Sequence, residues 1–161
     1  MPARASAGIL LYRQGAEGIE VLLAHPGGPF WANKDKGAWT IPKGQFLEDE
    51  EPLAAAKREF QEETSFIPSG EFISLGTIRQ LSGKLVEAWA FAGDCNTDEL
   101  QSINCEVEWP PRSKHMIEVP EVDRGQWYSI DEARQAILAA QRPFLESLCR
   151  HLGSDTAGKL P

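Results

Sequence analysis

From Gly44 to Thr64 the chain reads GQFLEDEEPLAAAKREFQEET, a stretch with seven carboxylates and two cations. Its second half has the period of a helix. Pro52 suits a first helical turn, and Leu53, Ala56 and Phe60 recur at i, i+3 and i+7 as an apolar stripe. Such a stripe must be buried against something, and the flanking sequence supplies short strand-like runs. AGILLYR and GIEVLLAH are separated by QGAEG, a hairpin signature, and AWTIPKG leads into the acidic stretch. Beyond it, EFISLGTIRQ and KLVEAWAFAGD join around Ser82 and Gly83, INCEVEW alternates apolar and polar, and QWYSI reads as a last strand. Asp131 is placed to cap DEARQAILAAQ as a helix, and Pro143 opens a further helical turn through Arg150. HPGGPFWANKDKG and PPRSKHMIEVPEVDRG read as two long loops. One helix between strands and one or two at the end predict an α+β fold, a mixed sheet covered by helices.

At 161 residues the chain suits one domain, expected over 1–151, with a flexible tail at 152–161. No apolar run approaches the roughly 18 residues of a membrane helix, and the N-terminal apolar patch is too short for a secretory signal. Cys95, Cys105 and Cys149 are odd in number and never form a C-x-x-C pair, which argues against a disulfide or zinc framework and for a reducing, cytoplasmic setting. A net charge of −8 excludes general attraction to nucleic acid or to anionic membranes. An anionic substrate then needs local cations, from the chain or bound to it.

On a helix from Pro52 to Thr64, Glu59 and Glu63 are i, i+4 neighbours and Glu62 is i+3 from Glu59, so the three project from one side. Arg58 can neutralise one of them. Two readings compete for the rest: a solvated acidic face, or hard oxygen ligands for Mg²⁺ or Mn²⁺, which also hold substrate phosphates. The glycine of IPKG permits a tight loop whose carbonyl can join a ligand set.

Gly44, Glu50 and the run Arg58-Glu59-Phe60-Gln61-Glu62-Glu63 stand at the offsets of the Nudix box, and Gly44 to Phe66 resembles that signature. The strand order and the terminal WYSIDEA also resemble the family, whose fold is an α/β/α sandwich: a mixed β-sheet with a central catalytic helix and C-terminal helices. One position departs: Ser65 stands where the family has glycine, and an L-residue in a left-handed helix end costs roughly 1 kcal/mol.

The resemblance implies a Mg²⁺-dependent pyrophosphohydrolase, with Mn²⁺ able to substitute, acting on a nucleoside diphosphate linked to another moiety. Gly44, Glu59, Glu62 and Glu63 would hold the metal, and Arg58 would pair with box carboxylates. Glu50 would fix the loop. The general base would be Glu59 or Glu62, with Glu118 or Glu121 from the second long loop as the alternative. Pro42-Lys43-Gly44 resembles members acting on long polyphosphates and points to a dinucleoside polyphosphate, with a nucleoside triphosphate pyrophosphatase or a catalytically idle nucleotide-binding module as competing expectations. Gln80, Leu81 and Ser82 stand where some branches carry substrate markers and match none of them.

Further residues are candidates for substrate contact, foremost Lys43, Arg112, Lys114 and Trp39. Lys43 precedes the box and can reach a phosphate, or snorkel over Trp39 and Ile41. Arg112 and Lys114, with His115, form a basic cluster in an acidic chain, either a phosphate clamp or a solvated loop, and Lys34 and Lys36 invite the same two readings. Trp39, like Trp31 and Trp109, can offer a face to a base or pack in the core. His25 and His151 suggest no role. A small-molecule nucleotide partner and a monomer or homodimer are expected.

Overall fold

The computed structural model describes residues 5–46 and 49–153. β1 (Ala5–Gly15) and β2 (Gly18–Pro26) form the expected hairpin, in register to Gly15 opposite Gly18, so only two residues make the turn. β3 (Lys43–Gln45) pairs with the start of β1, opposite Ser6 to Gly8, and α1 (Pro52–Thr64) follows it. Next come β4 (Ile73–Arg79), β5 (Leu85–Ala92), β6 (Asn104–Glu108), β7 (Met116–Pro120), β8 (Val122–Ser129), α2 (Ile130–Ala136) and α3 (Arg142–His151).

The main sheet runs β4-β5-β1-β2-β8, with β3 on the β2 side of β1. β1 and β5 are parallel and the other pairs antiparallel, so the sheet is mixed. β6 and β7 form a separate antiparallel hairpin. The alternation of side chains along β1 divides the core in two. Ala7, Ile9 and Leu11 face α1, where they meet Ala55, Ala56, Phe60 and Phe91. Leu10 points the other way, into a cluster with Leu23, Trp39, Val86, Phe144, Leu145 and Leu148 under α2 and α3. Both faces are covered, which is why β1 reads as a continuous apolar run. The fold is therefore the expected α/β/α sandwich, and no helix among the described residues is long and apolar enough to cross a membrane.

Three local expectations change. The second long loop contains β7, because Met116 to Pro120 pairs residue by residue with β6. The cap of α2 is Ser129 in place of Asp131: its hydroxyl accepts from the Glu132 amide, and the Glu132 carboxylate accepts from the Ser129 amide, a complete capping box. α2 also ends at Ala136, where Ile137 turns extended (ψ 150°) and enters the core. From residue 154 onward the expected tail lies outside the described residues.

Candidate active site

α1 sits close on β1 because Ala55 and Ala56 present almost no side chain to the strand, and Phe60 fills the space beyond them edge-on to Phe91 (5.6 Å). This seating turns the Glu59–Glu63 side of the helix toward β3. The Lys43 amide donates to Glu63 Oε1 (3.3 Å), and the Glu59 carboxylate lies so close to Gly44 that any Cβ there would collide with it. The glycine is thus required by close approach.

The helix ends as its sequence warned. Ser65 takes a left-handed conformation (φ 69°) and its amide donates to the Gln61 carbonyl. Thr64 makes this tolerable: its hydroxyl donates to the Phe60 carbonyl (2.7 Å) and accepts the Phe66 amide (3.1 Å). Two more end carbonyls are taken by the segment entering the β6–β7 hairpin, Gln101 donating to Thr64 and Ile103 to Glu62.

That same segment delivers Glu121. The Glu121 amide donates to the Ile103 carbonyl (3.0 Å) and its carbonyl accepts from the Gly27 amide (3.0 Å), so its backbone is held from both sides. The result is a group of three carboxylates, Glu59, Glu63 and Glu121, each offering an oxygen within 4.8 Å of the others. Glu59 and Glu63 are nearly buried, at 8% and 7% exposure. Burial, then Glu121 and Glu59, push the Glu63 carboxyl well above its ordinary range; burial, then Glu59 and Glu62, raise that of Glu121. Burial also raises Glu59, against the opposing pull of Arg58.

Arg58 reaches Glu59 and the carboxylates outside the group of three. Its guanidinium donates to both oxygens of Glu50 (2.8 and 2.9 Å), to Glu59, to Glu62 (3.2 Å) and to the Gln45 carbonyl. These bonds hold its own proton more tightly than usual. Lys43 is electrostatically coupled to the inner group: burial lowers its pKa while Glu63 and Glu59 oppose the fall. An all-oxygen set with excess negative charge, largely out of water, fits a hard divalent cation.

The other sequence candidates separate. Glu62 stays beside the group, with its side chain one-third exposed. Glu118 does not join it: it lies on the outer face of the hairpin, opposite Glu106, and accepts from Asn104 Nδ2 (3.0 Å). Only alternate residues of β7 face inward, and Glu121 continues the inward set of Ile117 and Val119. Of the two readings of Trp39, the structure has the core one. It is 1% exposed, its Nε1 donates to Asp35 (2.7 Å) and Tyr128 and His25 meet its faces, so it is a core residue.

Arg112 and Lys114 stand exposed at the hairpin tip, both with left-handed backbone (φ 64° and 62°) and both donating their amides to the Glu108 carboxylate. β7 separates them from Glu121 by five residues, roughly 17 Å of strand. His25, which suggested nothing in the sequence, is fully buried: Nε2 donates to the Lys34 carbonyl (2.6 Å) and Nδ1 meets the Asp123 carboxylate (2.9 Å). It ties the first long loop to β8. A depression of about 370 Å³ between this loop and α2 is lined by Asp35, Asp131 and Glu132 against Lys36; it shares no residue with the carboxylate group and its charge disfavours a phosphate.

No curated protein is significantly similar in sequence. Among solved structures, the fold resembles a C. elegans Ap4A hydrolase in a binary complex (TM-score 0.64, 21% identity, covering 92% of this chain and 98% of that one). It also resembles the NUDIX domain of Shewanella oneidensis NrtR complexed with ADP ribose (TM-score 0.64, 18% identity, 94% and 90% covered) and a mutT/nudix family protein from Listeria innocua (TM-score 0.63, 16% identity, 95% and 96% covered). The NUDIX domain matches residues 2–148. With nearly the whole chain inside that match, the protein belongs to the NUDIX family and is a hydrolase of pyrophosphate bonds.

Proposed function

We propose that the protein is a Mg²⁺-dependent pyrophosphohydrolase that cleaves a phosphoanhydride in a nucleoside polyphosphate, with dinucleoside polyphosphates as the preferred class. The observation that carries this reading is the meeting of three carboxylate oxygens within 4.8 Å, two of them on nearly buried side chains. Glu59, Glu63 and Glu121, with the Gly44 carbonyl, would hold the divalent cation, which when bound activates a water and offsets charge on the phosphoryl oxygens. Glu62, adjacent but outside the group of three, accepts the proton of the attacking water. Arg58 fixes Glu59 and Glu62 and keeps Glu50 against the helix. Lys43 orients a phosphate from the β3 side.

The longer substrate class rests on Pro42-Lys43-Gly44 and on Arg112 and Lys114. Among the described residues neither of those two side chains has a carboxylate partner, and a substrate with a nucleoside at each end would be long enough to use them as a second anchor. The three cysteines form no disulfide, which suits a cytoplasmic enzyme.

Phosphate-resolved product analysis on diadenosine tetraphosphate, nucleoside triphosphates, ADP-ribose and diphosphoinositol polyphosphates, with and without Mg²⁺, tests the proposal. Metal-dependent, asymmetric cleavage of the dinucleotide is the expected result. Release of pyrophosphate from triphosphates alone would replace it with a triphosphate pyrophosphatase, and saturable binding without cleavage would replace it with an idle nucleotide-binding module.

A further inference from the structure

Phe30 and Trp31 sit on the first long loop, and Phe30 is 57% exposed. A lone exposed aromatic is ordinary. These two, however, stand perpendicular, with ring centroids 5.0 Å apart and an 84° angle, and the Lys34 ammonium lies 4.7 Å from the Phe30 centroid. They form an aromatic corner with a cation at its edge.

The loop that carries the corner is tied to the backbone of Glu121, one of the three carboxylates. Gly27 donates its amide to the carbonyl of Glu121 and packs against Pro120 so tightly that a Cβ would strike the Pro120 carbonyl. Trp31 then donates back to Gly28 (3.3 Å) and Lys34 to Trp31 (2.9 Å), two successive turns that keep the loop short. Two residues separate Gly27 from Phe30, so the Phe30 backbone lies within about 11 Å of the Gly27 backbone. The far end is held as well, since buried His25 takes the Lys34 carbonyl. The loop backbone is therefore held at both ends before any ligand arrives, and little backbone freedom remains to be lost on binding.

We infer that Phe30 and Trp31, with Lys34 at their edge, form the stacking site for a nucleobase of the substrate. This inference rests on the proposed nucleotide chemistry of the neighbouring carboxylates. Every base has a π-face, an aromatic ring accepts it without regard to sequence, and the ammonium adds attraction for the electron-rich ring and for the adjoining phosphate. The perpendicular arrangement lets a planar base stack on one ring while its edge meets the other.

The test measures ADP and inorganic pyrophosphate binding by calorimetry in Mg²⁺, for the full chain and for Phe30→Ala, Trp31→Ala and, as a control on exposed apolar surface elsewhere, Leu81→Ala. Loss of one stacking partner should raise the ADP Kd roughly 5- to 100-fold and leave pyrophosphate within about twofold, with Leu81→Ala like the parent. ADP binding by the parent that neither Phe30→Ala nor Trp31→Ala weakens overturns the stacking site and leaves the corner to a protein partner. Equal weakening of ADP and pyrophosphate overturns it too, by showing a structural effect on the carboxylate group. A parent protein that binds neither compound overturns the nucleotide chemistry itself, and the stacking site with it.

Discussion

Gly44→Ala should separate stability from catalysis more cleanly than loss of any carboxylate. A Cβ at position 44 would fall 2.8 Å from Glu59 Cγ and into the space of its carboxylate. The obstructing atoms are the end of a flexible side chain, so the collision is relieved by swinging Glu59 away, and the backbone of β3 need not move. Gly44 has no positive φ, so alanine itself fits the chain there and gains roughly 0.4–1 kcal/mol through the unfolded state. Against this stands the Glu59–Arg58 contact, whose arginine is 32% exposed and which is worth up to about 1 kcal/mol after solvent screening. The two nearly cancel, and the melting temperature should move by no more than about 4 °C for a chain of this size. The displaced carboxylate leaves the group of three, so Mg²⁺-dependent hydrolysis should fall roughly 100-fold or more. Differential scanning calorimetry and a metal titration of turnover on the same preparation read both quantities. Parental turnover in Gly44→Ala would refute the argument that Glu59 works from its place against Gly44. A melting loss well beyond 4 °C would show that the backbone took the strain.

Glu121→Gln should lower turnover roughly 10- to 100-fold and weaken Mn²⁺ binding measured by electron paramagnetic resonance, whereas Glu118→Gln, on the outer face of β7, should leave both within about twofold. In metal-free protein, Glu63, Glu59 and Glu121 hold their protons above the ordinary value of 4.5 while the unfolded chain releases them; their contribution to stability is therefore greatest below about pH 4.5 and declines as pH rises through the raised values. Mg²⁺ should reverse that decline, so the melting shift between EDTA and Mg²⁺ should grow from pH 4.5 to 7.5, and a shift independent of pH would contradict it. Ser65→Gly removes the penalty of a left-handed serine and should raise the melting temperature by about 2–4 °C with turnover unchanged.

The helix and its carboxylates were legible because both obey local rules: a 3.6-residue period and a proline in the first turn need no knowledge of the rest of the chain. That period sets Glu59, Glu62 and Glu63 on one side of the helix with Arg58 in reach of Glu62, and their part in a metal site comes from the resemblance of Gly44 to Phe66 to the Nudix box. Glu121 did not stand apart from Glu118 in the sequence, because the choice depends on β7, and β7 exists only through its register with β6. Once the strand is seen, period-two alternation separates the two glutamates at once. Trp39 stayed open in the sequence between a base-facing and a core position for a related reason. A tryptophan at a strand end looks the same whether it faces solvent or core, and here Ile137 and Tyr128, distant in sequence, close over it. His25 left no sequence signal because both its partners are set by tertiary packing.

The question raised by seven carboxylates and two cations has a spatially divided answer. Arg58 is shared among Glu50, Glu59 and Glu62, which neutralises the outer part of the cluster and fixes the side chains there. Lys57 is turned elsewhere, over the ring of Phe72. The inner group of Glu59, Glu63 and Glu121 has Arg58, through Glu59, and Lys43 to offset it, with oxygens at separations where two unit charges repel by roughly 3 to 4 kcal/mol at an effective dielectric near 20. Raised carboxyl pKa values relieve this in the absence of metal, at the cost of protonating the very groups that would bind it. A divalent cation relieves it without protons. The same repulsion that weakens the empty site is therefore what makes metal binding and folding stability two readings of one interaction.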